Sequence, residues 1–150
     1  MTLYIRFFGL IKIPLLFYCR PKVVSIDEES VEIKIPLKRR TKNHLGSMYL
    51  GALSVGADIT SGILALETIK SADKKISLVF KDFKANFFKR AEGDVHFVCK
   101  EGKKIKSMVE NTLKTGERIN KEINVEAFVP KVDVDNPVAA FVLTLSLKAY

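Results

Sequence analysis

The stretch Asn43–Glu67, NHLGSMYLGALSVGADITSGILALE, constrains this chain more than any other. From Gly46 to Leu66 it is apolar or small on nearly every side, and no proline interrupts it. It is too long for one strand and too uniformly apolar for a helix lying on a core, so it reads as a helix buried on most of its surface. A helix of that kind needs a sheet curled around it or a partner subunit. Asp58 is the sole charged residue between His44 and Glu67. A carboxylate placed there must be paired, neutralised or useful.

The remainder of the chain supplies strands to enclose that helix. Lys22–Ile26 reads as a short strand, closed by the acidic turn Asp27-Glu28-Glu29. In Ser30–Leu37 the residues Val31, Ile33, Ile35 and Leu37 alternate with Glu32 and Lys34, the pattern of a half-buried strand pairing with the one before it. Ile76–Lys89 has strand character with a kink or bulge expected near Asp82, where the alternation loses register. Asp94–Lys100 alternates again, and with the turn Ala91–Asp94 the two stretches read as a long antiparallel hairpin. Lys103–Lys114 switches to helical spacing, and Gly116 is placed to end that helix. Ile123, Val125, Ala127 and Val129 form one inward row, and Phe141, Leu143, Leu145 and Leu147 another, joined by the loop Pro130–Pro137. About six strands, a long buried helix and short flanking helices make an α+β chain. With 150 residues, no internal repeat and no linker, residues 1–150 are expected to form one domain.

At the N-terminus, Arg6, Lys12 and Pro14 interrupt the apolar stretch Leu3–Cys19, which falls short of the roughly 18 residues a membrane span needs. It reads as a short amphipathic helix over Leu3–Leu10 and a second piece from Pro14. Packing against the domain is favoured over membrane contact, and stable membrane insertion is not expected. Cys19 and Cys99 have neither zinc-ligand nor redox-pair spacing, and reduced thiols in a cytoplasmic protein are the simplest reading. The net charge of +8 points to anionic partners such as phosphates without choosing among them. Nucleic acid is not favoured, because the chain lacks a recognition-helix pattern and a stacking-aromatic motif.

Three short motifs carry a family resemblance. Asn43-His44-Leu45-Gly46-Ser47-Met48-Tyr49-Leu50-Gly51 fits, without a gap, the Asn-x-x-Gly-Thr-x-His-Gly-Gly segment of PaaI-like acyl-CoA thioesterases, and Asp58 falls at their carboxylate position. Arg90-Ala91-Glu92-Gly93-Asp94 resembles the family's turn between sheet strands. Thr115-Gly116-Glu117-Arg118 resembles the approach to a late strand in the related DUF4442 family. From about Pro14 to Leu147 the chain therefore resembles the hotdog-fold thioesterases, in which a curved antiparallel sheet wraps a long central helix. One departure is clear: Tyr49 and Leu50 replace the His and first Gly of His-Gly-Gly, so no imidazole is available there.

The resemblance implies thioester hydrolysis. Asp58 would be general base or nucleophile, and the backbone amides around Leu50 and Gly51 would polarise the carbonyl from the positive end of the helix. Gly51 would let a substrate approach the backbone closely. Asn43 would position water or, more simply, stabilise the turn or cap the helix. Tyr49, Leu50, Ser54 and Arg90 would contact substrate, with Ser54 on a small, partly polar stripe formed by Ser47, Gly51, Ser54, Asp58, Ser61 and Ala65. His44 sits at a variable position of the motif, and His96 is expected to be exposed on a strand. Lys38, Arg39, Arg40, Lys89, Arg90, Lys103 and Lys104 are candidates for the phosphates of coenzyme A, though a solvated connection is the simpler reading of Lys38–Lys42.

In the resembled enzymes carboxylate and amides come from different subunits, so a homodimer or homotetramer is implied. Coenzyme A would enter as part of an acyl-CoA substrate. No separate cofactor and no metal is implied, since nothing has ligand spacing. The expected function is acyl-CoA thioesterase. The alternative is a non-catalytic acyl-CoA or fatty-acyl binding protein on the same scaffold. Hydratase chemistry is disfavoured because the helix offers Asp58 without a histidine beside it.

Overall fold

The computed structural model describes residues 1–150. Pro14 splits the first twenty residues into two helices, α1 (Thr2–Lys12) and α2 (Pro14–Cys19), because its ring is accepted at a helix start but not inside one. Ile5 and Gly9 of α1 and Leu16 and Cys19 of α2 are buried. Strands β1 (Lys22–Ile26) and β2 (Val31–Ile35) follow and pair antiparallel, as their alternation predicts.

The central helix α3 runs Leu50–Ile69. It starts later than the apolar stretch does. Residues 43–48 instead make a loop closed by an isolated bridge between Lys42 and Met48, with Gly46 in a left-handed conformation at φ 79°. Tyr49, extended at φ −67° and ψ 144°, is the residue before the first helical turn, and no side chain caps it. Asn43 is therefore a loop residue and not the helix cap. Every residue from Ile59 to Ala65 is buried. α3 is long and apolar enough to cross a membrane by length and composition, and most of it is buried within the molecule.

β3 (Ile76–Phe87), β4 (Val95–Cys99), α4 (Gly102–Thr115), β5 (Ile119–Phe128) and β6 (Ala139–Ala149) complete the chain. All six strands form one antiparallel sheet in the order β1-β2-β4-β5-β6-β3. α3 packs across β2, β4 and β5, touches β3 and β6, and is covered elsewhere by α2 and α4. The inward rows expected for the last two strands are buried, with Ile123 opposite Leu143 and Val125 opposite Phe141. The break in β3 falls between Phe80 and Asp82, where the Thr144 hydroxyl donates to Asp82 Oδ1 at 2.6 Å. Gly116 ends α4 in the left-handed conformation, φ 70°.

The hairpin expected between β3 and β4 does not form. β3 pairs with β6, while β4 sits between β2 and β5. The 12-residue β3 pairs along its whole length with the 11-residue β6, whereas β4 has five residues. The connection is also not a hairpin turn. The Phe88 and Lys89 N–H groups donate to Val138 O, and the residues after them bond to the loop before α3.

Candidate active site at the open end of the central helix

α3 is sealed along its second half but open along its first. Leu50 is exposed, Gly51, Ser54, Val55 and Asp58 are half-buried, and Ala52, Leu53, Gly56 and Ala57 face the interior. Leu50, Ser54 and Asp58 recur every fourth residue and so lie on one face, flanked by Gly51 and Val55. Asp58 stands at the inner end of this opening.

The outer end is rich in unused donors. The Leu50, Gly51 and Ala52 N–H groups make no hydrogen bond, and the first amide to bond back is Leu53 N–H, to Tyr49 O at 3.0 Å. Three free donors aligned with the helix dipole form a place where negative charge is stabilised. At the inner end the Asp58 carboxylate has no hydrogen-bond or ion-pair partner, and burial pushes its pKa above the ordinary carboxylate value. The two ends are seven residues apart, about 10 Å at 1.5 Å per residue.

Gly51 has a different neighbour from the one expected. A Cβ there would lie 2.6 Å from Cε1 of the Tyr49 ring, so the aromatic side chain already occupies the close approach. Tyr49 is 56% exposed and its hydroxyl makes no hydrogen bond within the chain, so the ring covers the glycine without being fixed by a polar contact. The Ser54 hydroxyl donates to Leu50 O at 2.9 Å, one turn back along the helix.

Asn43 organises the loop that delivers the chain to this point. Its Oδ1 accepts from Leu45 N–H at 2.9 Å and Ser47 N–H at 3.1 Å, an Asx turn. Arg90 clamps the same loop: Nε donates to Ser47 Oγ at 2.9 Å, Nη2 donates to Leu45 O at 2.6 Å, and Nη1 lies 3.5 Å from Glu92. The neighbouring residues of its turn add two further ties. Met48 N–H donates to Ala91 O, and Asp94 Oδ1 accepts Leu37 N–H at 2.8 Å. The segment Arg90–Asp94 is thus a brace for the start of α3, and this use of Arg90 was not visible from its position in the sequence.

Most candidate cations are engaged elsewhere. Lys89 pairs with Asp133, Lys103 with Glu29 and Lys104 with Glu101, and Arg40 donates to Tyr18 O. Lys38 and Arg39 are exposed and form no ion pair. Their loop is held against the helix start by Tyr49 N–H donating to Thr41 O at 2.8 Å. Buried Thr41 fixes that loop in turn by donating to Pro36 O at 2.7 Å, a role that a threonine within a basic run does not advertise.

Neither histidine hydrogen-bonds to Asp58. His44 is exposed in the loop before α3. His96 is half-buried rather than exposed, because its Nδ1 lies 2.5 Å from Glu32 Oε1 on the neighbouring strand β2. Both cysteines are buried, and burial pushes the Cys99 thiol up to about 11. No group of three or more His, Cys, Asp or Glu side chains is arranged to hold a metal ion. A cavity of about 510 Å³ lies at the far end of α3 between Leu64, Thr68, Val109 and Leu113, and shares no residue with this site.

The model of a family described as a domain of unknown function, DUF4442, matches residues 5–140. The chain belongs to this family. Several solved structures resemble the DUF4442 chain over nearly its whole length. A Pseudomonas aeruginosa protein of unknown function described as a probable thioesterase gives a TM-score of 0.82 at 20% identity, covering 100% of this chain and 97% of that one. A mutant thioesterase from the same organism gives 0.70 at 16% identity, covering 100% and 95%. A thioesterase family protein from Silicibacter pomeroyi gives 0.68 at 15% identity, covering 100% of both. At such identities the likeness establishes the fold, which is the hotdog fold. No curated protein matches the DUF4442 chain.

Proposed function

We propose that the chain is an acyl-CoA thioesterase that works as a homodimer or larger homo-oligomer. The observation that carries this reading is the open half of α3, with free amides at its mouth and an unpartnered, half-buried carboxylate at its inner end. The amides of Leu50 and Gly51 would receive the thioester carbonyl oxygen. Asp58 would take a proton from water as the water oxygen attacks the carbonyl carbon. The tetrahedral oxyanion would be held by the amides, and its collapse would break the C–S bond. The departing thiolate would then recover the proton from the Asp58 carboxyl, giving free acid and coenzyme A. A raised carboxyl pKa suits this two-way transfer.

A single protomer cannot bring both ends to one carbonyl, because about 10 Å of helix separates them and hydrogen-bond reach is about 3 Å. Two copies related by a two-fold axis, with their α3 helices antiparallel, would set Asp58 of one against the amides of the other. β3 offers a surface for that pairing. It is the last strand of the sheet, one edge is unpaired, and Val79, Phe83 and Phe87 are exposed along its length. Lys38 and Arg39, beside the helix start, would meet the coenzyme A phosphates.

The second reading, an acyl-CoA binder without hydrolysis, is favoured by one observation: the Tyr49 ring lies over Gly51, where a substrate would approach the amides. A thiol-release assay across acyl chain lengths separates the two. Release by the native chain that disappears in Asp58→Asn supports the enzyme, whereas tight acyl-CoA binding with no release supports the binder.

A further inference from the structure

The outward face of α1 is apolar, the reverse of what a helix packed on a domain should show. Ile5 and Gly9 point inward, while Leu3, Tyr4, Phe7, Leu10 and Ile11 are exposed, Leu3 to 81% and Phe7 to 62%. At about 100° per residue these five side chains fall within an arc of about 120°, so they form one continuous stripe. The pattern extends into α2, where Leu15 and Tyr18 are exposed, with Ile13 between the helices. Such a concentration of large apolar side chains marks a surface that something covers.

Charge says what kind of cover fits. No acidic residue occurs before Asp27, whereas Arg6, Lys12, Arg20 and Lys22 all fall in that segment. Two cations lie over aromatic rings of α2. Arg20 lies over Phe17 at 5.4 Å, and Arg40, from the loop before α3, lies over Tyr18 at 5.1 Å. A second copy of this chain seated on the stripe would bring like charges together. Pairing through β3 would not engage it either, because α1 is tied to the opposite end of the sheet by Val23 N–H donating to Thr2 Oγ1 at 2.9 Å and Arg6 Nε donating to Pro21 O at 3.3 Å. An apolar stripe rimmed by cations, with tyrosines at its flanks, matches a lipid surface with anionic headgroups.

We propose that α1 and α2 form a docking surface for an anionic phospholipid bilayer, on which the protein lies peripherally with Leu3, Phe7, Leu10 and Leu15 in the headgroup–acyl boundary. No helix spans the bilayer in this arrangement. The stripe and Asp58 lie on different helices, so docking stands or falls separately from thioester hydrolysis.

The test is flotation of the full chain with vesicles of phosphatidylcholine alone and of phosphatidylcholine mixed with phosphatidylglycerol. The native chain is expected to float with the mixed vesicles, to remain behind with the neutral ones at moderate salt, and to be released as salt rises. Phe7→Glu with Leu10→Glu should lower the partition coefficient at least tenfold or so while circular dichroism and Tm stay native, since both side chains already face solvent. Lys12→Gln with Lys22→Gln, which leaves the stripe intact, should weaken binding to mixed vesicles by about fivefold per cation and weaken its salt dependence. Failure to float with anionic vesicles would overturn the proposal. So would flotation unaffected by the glutamates, or a native assembly that the glutamates dissociate in the absence of lipid.

Discussion

The two halves of α3 are built from similar small and apolar residues but do different work. From Ile59 to Ala65 the helix is enclosed, and its polar side chains turn back on the helix itself, as Thr60 does to Gly56 O at 2.6 Å and Ser61 to Ala57 O at 3.0 Å. From Leu50 to Asp58 one face is open, the first amides are unused and the one carboxylate is unpaired. The sealed half satisfies every polar group, as a folded core requires. The open half leaves donors and an acid unsatisfied, which a stable fold has no reason to keep. Two glycines repeat the contrast between the packed and the open face of α3. At Gly56 a Cβ would meet Cζ of fully buried Phe97 at 2.1 Å, whereas at Gly51 it would meet only the exposed ring of Tyr49.

The largest effect is expected at the acid. Asp58→Asn should lower thioester turnover by at least about 100-fold, the scale of a lost general base. It should also raise Tm at neutral pH. Because burial raises the folded-state pKa above the unfolded value, the folded protein holds this proton more tightly. The ionised carboxylate therefore costs stability at every pH above the folded pKa, and that cost vanishes as pH falls below the unfolded one. The Tm advantage of Asp58→Asn should be full at neutral pH and close toward acid; a gap that widened toward acid would mean that a native partner favours the ionised form.

At packed positions the effect is on stability. Gly56→Ala should destabilise by about 1–3 kcal/mol in denaturant titration, because Phe97 also packs on Phe141, with ring centroids 6.3 Å apart, and has nowhere to move. Arg90→Ala should cost about 1–2 kcal/mol through the lost fork to Ser47 Oγ and Leu45 O. Arg90→Lys should recover little of it, since an ammonium cannot reproduce two divergent donors. The smallest change is expected at Gly51→Ala, within about 0.5 kcal/mol, because the Tyr49 ring can swing into solvent. A cost at Gly51 comparable to that at Gly56 would erase the distinction between the open and the packed face of α3.

Much of the fold could be read from periodicity. The central helix, the inward rows of β2, β5 and β6, the break near Asp82 and the Gly116 terminator all depend on neighbours within a few residues, where spacing is informative. Strand partnership is a long-range choice, and the false β3–β4 hairpin shows that neighbours along the chain need not be neighbours in the sheet. Asp58 was legible because a charge on an apolar helix is conspicuous. The Arg90 brace, the Thr41 anchor, the Tyr49 ring over Gly51 and the His96–Glu32 contact were not, since each needs segments far apart in sequence to meet. The late start of α3 belongs with these. Tertiary ties from Thr41, Asn43, Arg90 and Ala91 hold residues 43–48 in a loop that composition alone would have made helical.

The central claim is that the acid of one open half works on a thioester held by the amides of another, and subunit mixing tests it most directly. Leu50→Pro removes one amide donor at the first helical position, where the extended Tyr49 before it already suits proline. Leu50→Pro and Asp58→Asn should each be nearly inactive alone. Mixed in equal amounts and allowed to exchange subunits, they should recover about one quarter of native thiol release, because half the dimers are hybrids and each hybrid holds one intact site. Full activity in Leu50→Pro alone, or no recovery in exchanged hybrids of two inactive variants, would contradict the account.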